Sequence, residues 1–167
     1  SSYVIKKVYF PRIIIPIAGA GSPVVDYLVA NLLMVAMATY FGIAPSWQIL
    51  LMPIIVLLLS MAAQGVGMGL GAFAVSYRDF RHVIPFVVQV WMFVTPVIYG
   101  SSLLPEEWRF VLLLNPITGL VEASRHIWLG QPLDFSSLGF SSLLSVAIFI
   151  FGFAIFQQQE NKMADRM

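Results

Sequence analysis

The 167-residue chain is 59% hydrophobic and only 10% charged, with a net charge of +1. Its mean hydropathy of +0.88 belongs to a membrane protein, since soluble domains hold about 45–50% apolar and about 25% charged residues. A net charge so near zero gives nucleic acid no global field to answer, and the lack of cysteine excludes disulfides, thiolate metal sites and a cysteine nucleophile.

The chain opens "SSYVIKK", without methionine and without the order of basic, apolar and small residues of a signal peptide. We expect a piece of a longer protein. A spanning helix needs about 20 mostly apolar residues. The first candidate span is 23–43, set between Gly21-Ser22-Pro23 and Ala44-Pro45. The second is 47–75, long enough to tilt and kinked at Pro53. The third, 83–100, is short, with Pro85 near its start and Pro96 near its end. The fourth is 138–156.

Residues 103–130 hold two helical patterns, each too short to span. Pro105 suits a first turn, with Glu106 and Glu107 at the positive end of that helix. Asn115 can cap the second helix with Pro116 at its first position, and Gln131-Pro132 stops it. Both pieces are rich in Leu, Val, Ile and Trp. A hairpin dipping into the outer leaflet fits this pattern better than an amphipathic pair lying on the surface.

Four spans put both ends on one side. Lys6, Lys7, Arg12, Arg78, Arg81, Lys162 and Arg166 gather there, against Arg109 and Arg125 opposite. The positive-inside rule makes the first set cytoplasmic.

Several constellations invite chemistry. "QGVGMGLGAF" lacks the Gly-Lys-Ser/Thr of a phosphate loop. Its glycines instead form two interleaved packing pairs, Gly65/Gly69 and Gly67/Gly71. Asp26, close after Pro23, suits an interfacial cap or salt bridge better than a transport role. Glu122, Arg125 and His126 share a helix face as a local ion pair, with an acid/base cluster as the rival reading. His82 and His126 fall on opposite sides, which argues against a two-histidine metal site in this chain. Tyr40, Phe41, Trp47, Tyr99, Trp108, Phe110 and Trp128 read first as an interfacial aromatic belt and second as a surface for sugar rings. The mixed-charge loop Tyr77, Arg78, Asp79, Arg81 and His82 fixes topology and offers a docking surface.

The succession "KKVYFPRIIIP", "VVDYLVANLL", "SYRDFRHVIPFVVQVWMFVTPVIY", "LNPITGLVEASRHIWLG" and "FQQQENKMADRM" resembles the permease subunits of type-2 ABC transporters, above all the bacterial O-antigen and polysaccharide exporters. Glutamines replace much of the basic stretch usual in the tail. The resemblance implies an all-α integral membrane fold, with the last four helices of a six-helix permease and a re-entrant hairpin before the final span. It implies no catalytic or metal residue here, with ATP and Mg held by a separate ATPase present in two copies. The ATPase would touch Lys6, Lys7, Arg12 and residues 77–82, and a second permease copy would complete a conduit in the bacterial inner membrane. Trp91, Phe93 and Tyr99 would line that conduit. The cargo implied is a lipid-linked glycan; nucleic acid is not a partner. The rivals are a type-2 permease for a drug, peptide or other lipid, and a membrane enzyme using Asp79 with His82 or Glu122 with His126.

Overall fold

Apolar sequence punctuated by Pro and Gly becomes a set of helices in the computed structural model, which describes Pro11 and residues 13–165. They are α1 (Ile14–Gly19), α2 (Gly21–Tyr40), α3 (Met52–Ser76), α4 (Phe80–Val94), α5 (Glu106–Leu113), α6 (Pro116–Leu129) and α7 (Phe135–Ala164). Short 3-10 stretches occupy Trp47–Leu51 and Ser101–Leu103. No strand occurs among the described residues, as the all-α reading requires.

Three stretches are long and apolar enough to cross a membrane: Ile14–Tyr40, Trp47–Ser76 and Phe135–Ala164. The protein is therefore a multi-pass membrane protein. The expected third span, 83–100, differs. Its helix is Phe80–Val94, 15 residues, or about 22 Å against a hydrocarbon core of about 30 Å. Pro96 causes the early stop: it pushes the preceding residue out of helical geometry, and Thr95 has ψ 129°.

Other boundaries also move. The first span begins at Ile14, not Pro23. Pro23 lies in the first turn of α2, where a missing amide costs little. Pro53 does not kink a helix; it sits in the first turn of α3, after the 3-10 stretch. α7 begins at Phe135 because Asp134 Oδ1 accepts from the amides of Ser136 (3.1 Å) and Ser137 (3.3 Å). It continues past Phe156 to Ala164.

α3 and α7 pack along their lengths and run in the same direction. Gly65 meets Gly152 midway, and Gln159 Nε2 donates to Ser76 Oγ near the ends of both. A Cβ on Gly65 would lie 2.5 Å from the Ile148 carbonyl oxygen and 2.7 Å from Phe149 Cα. A Cβ on Gly152 would run into the Gly65 carbonyl. Such contact between backbones is the use of glycine in membrane helices. The two expected glycine stripes are thus corrected. The buried face of α3 runs through Ala62, Gly65, Met68 and Ala72, and a Cβ on Gly67, Gly69 or Gly71 would meet nothing within 4 Å.

α6 seats on α7 in a similar way. The Gly119 amide donates to Ser141 Oγ (3.1 Å), and Ser141 is fully buried. Met52 and Ile55 of α3 join Leu120, Ala123 and Ile127 of α6 in one apolar cluster. α5 lies outside that cluster and buries only Leu112. α2 buries nothing, with Leu32 71% exposed; so much exposed apolar surface suits lipid or other helices.

Candidate functional site

Short α4 joins two ends of the molecule. At its start, Tyr77, Arg78 and Asp79 bridge α3 and α4. Arg78, Asp79, Arg81 and His82 are all exposed. Arg81 Nε donates to the Ala74 carbonyl (3.4 Å), answering one of the unpaired acceptors at the end of α3. Phe73 packs on Phe80 with ring centroids 5.9 Å apart. Among the described residues, no ion pair uses Arg78 or Asp79. The polar end of α7 flanks this loop through Gln159 and Ser76, a neighbour the sequence reading did not supply. Lys6, Lys7 and Arg12, expected beside the loop, lie outside the described residues, as does Arg166.

At the other end of α4, a polar latch ties its outgoing chain to α6. Asn115 caps α6 through Oδ1, which accepts from the Ile117 amide (3.1 Å). The same oxygen accepts from Trp91 Nε1 (3.1 Å), and Asn115 Nδ2 donates to Thr95 Oγ1 (2.8 Å). Pro116 follows in the first turn of α6, where it needs no amide. α6 ends at Gly130, whose φ of 66° is the left-handed cap that glycine tolerates best. That residue, rather than Gln131-Pro132, marks the stop.

Glu122 and Arg125 extend the latch. Arg125 Nη1 donates to Glu122 Oε1 (2.9 Å). Its Nη2 reaches the carbonyls of Pro96 (2.8 Å), Val97 (3.3 Å) and Tyr99 (3.4 Å). The Ser101 amide also donates to Glu122 Oε1 (3.3 Å). His126 stands further off, 3.9 Å from Glu122 Oε2. The local ion pair exists, but its larger task is to hold irregular backbone beyond α4. Arg125→Gln should lower unfolding free energy by about 1–3 kcal/mol and speed hydrogen exchange of the Ser101 amide. Unchanged exchange at Ser101 would refute the latch.

Two of the three expected conduit residues lie on different faces of α4. Trp91 and Phe93 stand about 200° apart on a helix. Trp91 is half-buried with its indole N–H committed to Asn115, whereas Phe93 is exposed. Tyr99 donates to the Val94 carbonyl (3.0 Å), closing the end of α4. Asp26 is exposed, and no hydrogen bond or ion pair among the described residues involves its carboxylate. Tyr40, Phe41, Trp47, Trp108 and Phe110 are exposed, while Trp128 packs on the apolar cluster.

This order of helices, loop and hairpin can be set beside known proteins. Residues 8–129 match the family model described as ABC-2 type transporter. The chain belongs to the ABC-2 type transporter family. It is 26% identical over 164 residues to the O-antigen export system permease protein RfbA of Myxococcus xanthus, covering 96% of this chain and 63% of that protein. An RfbA of Klebsiella pneumoniae is 22% identical, with 99% and 64% covered. The polysialic acid transport protein KpsM of Escherichia coli is 23% identical over 138 residues, with 82% and 52% covered. This ABC-2 chain thus spans less than two thirds of the length of those relatives. All three relatives are transport proteins by name.

Proposed function

We propose that this chain is part of the transmembrane subunit of an ATP-driven exporter that moves a lipid-linked glycan from the cytoplasm across the bacterial inner membrane. The observation that carries the reading is the coincidence of two things: similarity to O-antigen and polysialic acid permeases, and an exposed charged loop joined by one short helix to a latched hairpin. In this reading the Arg78–His82 end and the polar end of α7 face the cytoplasm, following the basic residues. The hairpin of α5 and α6 enters the opposite leaflet, its irregular backbone tolerated because Glu122, Arg125 and Asn115 satisfy it.

ATP and Mg are held by a separate ATPase, two copies of which serve two copies of the permease. Each ATPase presses on residues 77–82. Because α4 is fixed at its far end to α6, displacement of the loop is delivered to the hairpin. ATP drives transport only by favouring one arrangement of that unit over the other.

The test is co-purification. Arg78→Glu should reduce recovery of the partner ATPase at least about tenfold, as expected when a like charge faces a complementary patch. Arg78→Lys should retain it. Equal recovery with both variants would sink the docking assignment. For cargo, cells lacking the permease should hold lipid-linked glycan inside and show none at the surface; normal surface glycan would favour a drug or lipid substrate.

A further inference from the structure

A cleft of about 600 Å³ opens at the hairpin end between α5, α6 and the start of α7, within the size range of small-molecule sites. Leu112 and Ala123 supply apolar floor, and Arg109, Gln131 and Asp134 supply polar wall. Thr118 lines the cleft and is only 3% exposed. Its Oγ1 is buried and has no hydrogen-bond partner. A buried hydroxyl left unmatched costs about 1–3 kcal/mol, and such a group in a native protein calls for a partner.

The charges around the cleft are balanced. Glu122 and Arg125 neutralise each other at 2.9 Å. Asp134 uses Oδ1 to cap α7, and no hydrogen bond among the described residues occupies Oδ2. Arg109 meets Glu106 only at 3.8 Å, and that glutamate side chain is 92% exposed, so the guanidinium can turn into the cleft.

We propose that this cleft holds a single neutral sugar unit, resting on the glycan reading of function and assigning the cargo a contact on this chain. A sugar ring carries hydroxyls that both donate and accept, and C–H faces that lie on apolar ground. Asp134 accepts from it, Arg109 and Gln131 donate to it, and Thr118 meets the hydroxyl that enters deepest. An anion such as a lipid phosphate fits less well, because the carboxylates of Asp134 and Glu122 border the same space.

The test uses the full permease with its ATPase in nanodiscs, probed by saturation-transfer NMR. The probes are methyl glycosides of glucose, galactose, mannose, rhamnose and N-acetylglucosamine. At least one should receive saturation. Thr118→Val, which keeps the side-chain shape and removes the hydroxyl, should weaken binding about fivefold. Arg109→Ala and Gln131→Ala, both at exposed positions, should weaken it without changing thermal unfolding. The proposal fails if no glycoside receives saturation, if all three variants bind like the parent, or if inorganic phosphate alone binds in an Arg109-dependent way. Normal glycan export with no glycoside bound removes this subsite and leaves the exporter; normal surface glycan without the permease removes the exporter reading itself.

Discussion

Gly152→Val should separate α7 from α3 and lower the unfolding free energy by about 3 kcal/mol, the upper part of the range for overpacking. The atoms that a Cβ at 152 would strike belong to the Gly65 backbone. A side chain can change rotamer, but a helix backbone moves only by shifting the whole crossing. Gly65→Val should act similarly, since its added atoms meet the backbone of Ile148 and Phe149. Gly67→Ala and Gly71→Ala serve as controls: with nothing within 4 Å, each should be neutral or gain up to about 1 kcal/mol from helix propensity. Thermal unfolding in detergent, followed by tryptophan fluorescence, distinguishes the two pairs. Equal loss at all four positions would dismiss the crossing as the cause.

Asn115→Ala should cost about 2–4 kcal/mol, more than a lost cap alone. The cap accounts for about 1 kcal/mol. The rest comes from stranding the Trp91 indole N–H, at about 1–3 kcal/mol when left unmatched, while Thr95 Oγ1 keeps its bond to the Trp91 carbonyl (2.9 Å). Asn115 is 8% exposed and Thr95 5%, so water does not readily replace the amide. Asn115→Asp should lose less, because a carboxylate still accepts from Ile117 and Trp91. A double-mutant cycle with Trp91→Phe should show coupling above about 0.5 kcal/mol. Additive losses would mean that Asn115 acts as a helix cap and nothing further.

What could be read in the sequence depended on range. The Asn115-Pro116 cap was legible because the signal is local, and Ile117 lies two residues on. The partners of Asn115 across the fold, Trp91 and Thr95, were not, because nothing local fixes how α4 is rotated. Glu122 and Arg125 showed their pairing through spacing alone. The three carbonyls that Arg125 also holds belong to irregular backbone, which leaves no periodic trace. The spacing of the glycines in α3 marks packing residues, yet the pattern cannot say which of them meets another helix. That depended on Gly152, in a distant segment with no visible repeat. Around the third span, hydrophobicity continues through Val97 and Ile98, whereas helical geometry stops before Pro96.

The parallel pairing of α3 with α7 also has a consequence for biosynthesis. A ribosome delivers α3 well before α7, with the loop and hairpin emerging between them. Until α7 is inserted, the notch at Gly65 faces lipid or some other occupant. The contact between α3 and α7 thus has to wait for α7, and a nascent chain halted before Phe135 presents an open seat on α3. Insertion of α7 and closure of that crossing become one event, and the exposed groove on α3 gives a membrane quality-control factor a mark of a molecule in which it has not yet happened.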